Sequence, residues 1–308
     1  MKPKISVIIS TFNKLDRLMI TMFCLGYQNL DKSLFEVIVI NDGSNDGTKE
    51  FLDSTKFNFN VQVHHQENKG QAFARNKGIE MSNGSIIVFI DDDLIAIPDF
   101  LEYHLKEHEQ DSNCVILGRI YRINVEDFKI VTNPIYANFE SGMQSIKTYI
   151  KKDLYLDMVE RVFDKTLNNI AWICFTGGNS SISKENLVNA RGFDANFYRW
   201  GPEDIELGYR IYKNKYEFKY CPHIINYHLD VEKNRNQMLS DTARNLKYLQ
   251  KKYPGNEEIL GYINFTSGGA SLEEFSYKMA GKLFEAEKHP NQFKFQPFDY
   301  INLKSGKL

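Results

Sequence analysis

"SIIVFIDDD", residues 85 to 93, sets five apolar residues directly against three aspartates. A continuous apolar run rich in Ile and Val marks a strand covered on both faces, and such strands belong to parallel sheets. Two earlier runs read the same way, "ISVIIS" from Ile5 and "EVIVI" from Glu36. Between the runs lie helix patterns: Leu15, Leu18, Met22 and Leu25 keep helical spacing, and Ala72, Ala74, Ile79 and Met81 do so less regularly. The alternation is βαβ and predicts an α/β fold.

Each of these strands gives way to polar residues: Thr11, Phe12 and Asn13 after the first, Asn41 and Asp42 after the second, Asp91, Asp92 and Asp93 after the third. Ligands of open parallel sheets bind beyond the carboxyl ends of the strands, so two acidic strand ends face one crevice. Asp91 and Asp93 are two residues apart, and extended geometry would aim both side chains at one spot. Gathered carboxylates repel and suit a hard divalent cation, Mg²⁺ or Mn²⁺, bound also to phosphate oxygens. The plainer alternative is an acidic loop capping the next helix. "INDGSNDGT", residues 40 to 48, places Asp42 where it could accept from a nucleotide, though by itself it is ordinary turn chemistry. "NKGQAFARNKG", residues 68 to 78, brings Lys69, Arg75 and Lys77 near a helix start, suited either to a diphosphate or to a solvated face. After the first strand there is no glycine, which disfavours a dinucleotide fingerprint and a P-loop there.

The bulk numbers narrow the class. With 42% hydrophobic residues, 308 positions can bury a substantial core. Against 40 acidic residues stand 38 basic ones, so no electrostatic footprint for nucleic acid is expected. Cys24, Cys114, Cys174 and Cys221 lie far apart, which argues against zinc knuckles and disulfides and for a reducing cytoplasm. The amino-terminal apolar run is too short for a secretory signal, and no run is long enough to span a bilayer, so a soluble cytoplasmic protein is expected.

Further along, Met143, Ile146, Ile150 and Leu154 suggest a helix inside an irregular stretch. "WICFTGGNSSIS", residues 172 to 183, reads as a strand broken by a glycine turn. Glu203 to Asn214 reads as a helix whose first turn carries Glu203, Asp204 and Glu206, which the helix dipole alone would explain. "FKYCPHIINYHL", residues 218 to 229, reads as an edge strand, because Pro222 does not suit a central one. A helix with Met238, Leu246 and Leu249 stops at "YPG", and another starts at a Ser271–Glu274 capping box with Phe275, Met279 and Leu283 along one side.

In order, "SVIISTFNK", "VINDGSNDGT", "ENKGQAFARNKG", "FIDDD", "TGGNSSISK", "GFDANFYRWGPEDIELGYRI" and "YH" resemble glycosyltransferase family 2 of the GT-A fold, over roughly residues 4 to 230. The later part resembles the C-terminal galactosyltransferase-type motif of bacterial chondroitin-polymerase-like enzymes. The resemblance implies a Rossmann-like, mostly parallel sheet flanked by helices, with a mainly helical C-terminal extension. It implies a catalytic domain over 1–232 and that extension over 233–308; within the domain lie a nucleotide-binding half (1–121), a variable insert (122–170) and an acceptor half (171–232).

By position, the resemblance implies a nucleotide pocket of Thr11, Phe12, Asn13, Asp42, Arg75, Asp91 and Asp92. Asp93 and His228 match metal ligands. Gly177, Gly178 and Asn179 match a turn beside the donor sugar, and Trp200 and Gly201 an acceptor platform. Asp204 matches the catalytic base and Glu203 a carboxylate that holds sugar hydroxyls, while Glu206 is left as structural. The implied reaction is inverting, metal-dependent transfer of a hexose or N-acetylhexosamine from a UDP-sugar to a hydroxyl acceptor, with Mn²⁺ or Mg²⁺ as cofactor. A sugar-nucleotide-binding or regulatory subunit without turnover is the alternative. Pro202 departs from the related motif, which has glycine there, and bears on acceptor geometry. Peripheral membrane contact and a homodimer through the C-terminal helices are the partner expectations.

Overall fold

The computed structural model describes residues 2–164, 167–197, 201–229, 235–289 and 291–294. Among these, one sheet contains β1 (Ile5–Thr11), β2 (Phe35–Asp42), β3 (Asn60–Gln66), β4 (Ile86–Phe89), β5 (Leu94–Ala96), β6 (Cys114–Ile123), β7 (Ile150–Lys151), β8 (Ser180–Ser183) and β9 (Glu217–Leu229). Its order is β3-β2-β1-β4-β8-β6-β9-β5, with β7 alongside β6. The first four strands are mutually parallel. β8 runs against both β4 and β6, β9 runs with β6, and β5 runs against β9.

The three apolar runs are β1, β2 and β4, and both of their faces are covered. Ile5, Val7 and Ile9 pack with Leu18, Met22, Leu25 and Phe100 on one side; Ile8, Ile87 and Phe89 pack with Trp172, Phe175 and Leu207 on the other. Two apolar layers on one sheet explain why these strands lack alternation. The topology then fixes the site. β1, β2 and β4 end at one edge, antiparallel β8 begins there, and β9 finishes there.

Three local expectations are corrected. The 143–154 helix is broken into a helix (Phe139–Ser145), a 3-10 turn (Ile146–Tyr149) and β7. Residues 172–183 do not form one broken strand: Asn168–Cys174 is a 3-10 helix, and the strand is Ser180–Ser183. Trp172, fully buried among Tyr209, Tyr262 and Phe275, is drawn into a three-sided aromatic cluster that an extended segment could not reach. Finally, β9 is an edge strand only in its first part, because β5 lies outside it at Asn226–His228. Pro222 is tolerated by a break in register, where Gly118 pairs with Cys221 but Arg119 with Ile225.

The C-terminal helices Arg235–Lys252, Glu257–Thr266 and Leu272–Met279 join the same core, since Leu249, Ile259, Phe265, Leu272 and Phe275 share a cluster with Trp172. Ser271 caps its helix by accepting from the Glu274 amide. Among the described residues no helix is long and apolar enough to cross a membrane.

Behind the sheet edge, His104 Nδ1 and His108 Nε2 each lie 2.8 Å from the buried Ser181 hydroxyl. Burial and the neighbouring His108 push His104 down to about 3, and burial pushes His108 down to about 4. Both are therefore neutral in the fold, while the unfolded chain binds protons there below pH ~6.5, so stability falls as pH drops from there toward 4. Each imidazole contributes up to about 1.4 kcal/mol per pH unit to that slope. Unfolding measured between pH 7 and 5 should show a shallower slope in His108→Gln than in wild type; equal slopes would show that His108 is already charged when buried.

Candidate active site

The third acidic strand end is not extended: β4 stops at Phe89, and Asp92 and Asp93 form the turn that leads into β5. Asp91 and Asp93 converge nonetheless. Their carboxylates and the imidazole of His228 offer ligand atoms all within 4.8 Å of one another. Backbone pairing sets this up, because Leu94 pairs with His228 and the Leu229 amide donates to the Asp93 carbonyl at 2.9 Å. His228 Nε2 lies 3.2 Å from Asp93 Oδ1. Two carboxylates and an imidazole fit Mn²⁺ or Mg²⁺ with room for further oxygen ligands.

Arg75 is the centre of the site. Its helix, Gln71–Met81, carries it to the sheet edge, where it is buried over the Phe193 ring. One guanidinium nitrogen donates to Asp91 Oδ1 at 2.8 Å and another to Asp204 Oδ1 at 2.7 Å, with Glu203 Oε1 at 3.7 Å from the latter nitrogen. Gln71 also donates to Asp91. Lys69 lies over the Phe73 ring and Lys77 pairs with Glu80 at the surface, so those two basic residues remain outside the site.

Asp204 begins the helix Glu203–Lys213, and its second oxygen accepts the Gly177 amide at 2.9 Å. Each carboxylate oxygen retains a further lone pair for an incoming hydroxyl. Glu203 is 4% exposed whereas the Asp204 side chain keeps 20% of its surface, so Asp204 is the accessible member of the pair. Burial and the neighbouring Asp204 push the Glu203 carboxyl well above its usual range. Burial also raises Asp204, with Arg75 and the Gly177 amide acting against it. Glu206 is fully buried and held by Arg210, Lys252 and Tyr253, a structural role.

The glycines here make room for Arg75 and Asp91. A Cβ on Gly177 would come 2.2 Å from the Arg75 guanidinium, and one on Gly178 would come 3.2 Å from Asp91 Oδ2. Asn179 turns away from the crevice: it is fully buried and donates to the Arg119 and Ile224 carbonyls. Gly201 lies against Asn245, and Trp200 lies outside the described residues.

On the nucleotide side, Asp42 is buried and occupied. It accepts Gln66 Nε2 at 2.7 Å and the Lys69 and Gly70 amides at 2.9 and 2.8 Å, which anchors the loop before the Arg75 helix. Thr11 is buried, Phe12 is exposed, and Asn13 adopts φ 52° while exchanging hydrogen bonds with Ser44 and Asn45. Lys14 belongs to the site although it closes the "SVIISTFNK" motif with no role assigned to it from the sequence. Its ammonium donates to Asp92 and Asp93, and although burial works against its charge, those carboxylates hold its pKa above the ordinary value. Its place directly after the first strand's polar end is the signal that could have found it.

A profile described as Glycosyl transferase family 2 matches residues 6–173, more than half of the chain. The chain belongs to glycosyltransferase family 2. A second profile, the N-terminal domain of galactosyltransferase, matches residues 158–234. Among relatives of this family-2 chain is an uncharacterized glycosyltransferase, YfnE, of Bacillus subtilis, 28% identical over 93% of this chain and 80% of its own length. The hyaluronan synthase of Pasteurella multocida is 27% identical over 81% of this chain, which spans 27% of that enzyme's length.

Solved structures share the GT-A fold. Staphylococcus aureus TarS 1-349 in complex with UDP-GlcNAc has a TM-score of 0.59 at 15% identity, covering 90% of this chain and 80% of its own. A mannosyltransferase from Pyrobaculum calidifontis in complex with GDP-Man and Mn²⁺ has a TM-score of 0.58 at 17% identity, covering 83% and 66%. The protein is thus a family 2 glycosyltransferase with a mixed, helix-flanked sheet.

Proposed function

We propose that this transferase moves a hexose or N-acetylhexosamine from a UDP-sugar to an acceptor hydroxyl with inversion, that it requires a divalent cation, and that Asp204 is the general base. One observation carries the proposal: Arg75 bridges Asp91 of the candidate metal cluster and Asp204 at 2.8 and 2.7 Å. The end that would hold the leaving diphosphate and the group that would take the proton thus meet at one guanidinium. A cation held by Asp91, Asp93 and His228 would supply Lewis-acid stabilisation to the departing diphosphate. Asp204 lies within reach of the crevice and accepts the proton of the attacking hydroxyl, its basicity raised by burial and tempered by Arg75. Glu203, buried beside Asp204, is read as the carboxylate that holds sugar hydroxyls.

UDP as the carrier is supported by the UDP-GlcNAc bound to TarS, and the cation by the Mn²⁺ in the mannosyltransferase. Thr11, Phe12, Asn13 and the 42–48 turn are the proposed nucleoside pocket, and Gly177, Gly178 and Gly201 line the sugar side. We assign residues 1–232 to the catalytic domain, with 122–170 and the C-terminal extension selecting the acceptor. A homodimer through that extension would rest on exposed Leu260 and Leu283. The described cysteines are free and buried, as suits a reducing cytoplasm.

The test is UDP release with Mn²⁺ across UDP-Glc, UDP-Gal, UDP-GlcNAc, UDP-GalNAc and UDP-GlcA. At least one donor should give release well above background, and Asp93→Ala should abolish the Mn²⁺-dependent gain in UDP affinity. Background release with every donor, while UDP binds normally, would favour a nucleotide-binding protein without turnover.

A further inference from the structure

Lys14 lies outside the metal-ligand cluster, yet its ammonium sits among the carboxylates. It donates to Asp92 Oδ1 at 2.7 Å and to Asp93 Oδ2 at 2.9 Å. Those carboxylates are 4% and 2% exposed, whereas the Lys14 side chain is 33% exposed. Asp93 is therefore divided, with Oδ2 held by a cation of the protein and Oδ1 facing His228 at 3.2 Å.

Both sides of this arrangement are anchored by backbone. The Lys14 carbonyl accepts the Arg17 and Leu18 amides at the start of the helix Leu15–Gly26. Asn13, next to it, is tied to the 44–45 turn. Asp93 and His228 are locked by the pairing of β5 with β9. The carboxylates are buried on a pinned backbone, whereas Lys14 reaches them through a partly exposed side chain with four rotatable bonds.

We propose that Lys14 sets the order in which the site is assembled: its charge keeps a divalent cation from loading tightly until the nucleotide diphosphate is present. This rests on the metal reading of Asp91, Asp93 and His228 above. Two cations sharing one buried carboxylate repel each other, and burial leaves that repulsion less screened than at the surface. A diphosphate beside them is an anion that both can share, so its arrival removes the conflict. The same ammonium then attracts the nucleotide before any metal binds.

The experiment titrates the full chain with Mn²⁺, following free Mn²⁺ by electron paramagnetic resonance with and without UDP. Without UDP, Lys14→Met should bind Mn²⁺ about tenfold or more tighter than wild type, because the competing charge is gone. The same variant should bind UDP alone more weakly. Lys14→Arg, which keeps the charge, should behave as wild type in both titrations. Lys14→Gln serves as the neutral variant if Lys14→Met does not fold. Unchanged or weaker Mn²⁺ binding in the neutral variant overturns the proposal. Asp93→Ala in the same titration separates the two readings: if it leaves Mn²⁺ binding in the presence of UDP intact, the metal site itself is misassigned.

Discussion

Asp204→Asn is expected to lower turnover by about 10³-fold while leaving UDP affinity close to wild type, since loss of a positioned general base costs roughly 10²–10⁴ in rate. Asparagine keeps the shape, but its one carbonyl oxygen can accept from Arg75 or from the Gly177 amide, which bond different Asp204 oxygens, and its amide group then faces the other donor. What it loses is the capacity to take a proton. A single-turnover assay with saturating donor, together with UDP binding, separates the two effects. Turnover equal to wild type would show that the proton leaves by another route and would remove Asp204 from the chemistry.

Arg75→Met should act on stability as well as on activity. The guanidinium is 3% exposed and faces Asp91, Glu203 and Asp204. Methionine fills much of the volume but leaves three carboxylates without their shared cation, and an uncompensated buried charge costs about 3–5 kcal/mol. The pH dependence has a definite sign. Glu203 and Asp204 already titrate above their ordinary range, and removing Arg75 raises them further. The folded variant then binds more protons than its unfolded chain, so its stability falls as pH rises. Urea unfolding should show a larger deficit at pH 8 than at pH 5. A deficit below about 1 kcal/mol at both would mean that solvent already screens the cluster.

Much of the fold is legible from patterning. The apolar runs at 5–10, 36–40 and 85–90 have no polar face, and that alone requires layers on both sides of a parallel sheet. The helix from Glu203 was also legible, with acidic residues in its first turn and a regular apolar face behind them. Weak or misleading patterns failed for identifiable reasons. β3, "NVQVHHQ", is a sheet-edge strand whose alternation is carried by Val61 and Val63 alone, and β5 is three residues long, so the first is a short signal and the second presents none. Pro222 argued for an edge strand, and at its own position β9 has only β6 beside it, with β5 joining further along at Asn226–His228.

The candidate site divides in the same way. Position after an apolar run marked Asp91 and Asp93, whereas Glu203, Asp204 and His228 were marked only by the family resemblance. The sequence also marked Asn179, whose side chain faces inward, and Asp42, whose oxygens hold a neighbouring loop. It passed over Lys14, because a lysine at a helix start carries no sign of the groups that lie across the crevice.

Unaided, the order of residues along this chain determined its central strands β1, β2 and β4, its family and the acidic character of its sheet edge, because burial on both faces leaves a local mark in the sequence. Which carboxylate meets which cation was decided by tertiary structure alone. Residues 14, 93 and 228 form one set of close contacts and 75 and 204 another, with Asp91 joining the two, and electrostatic partnership follows distance in space rather than distance along the chain.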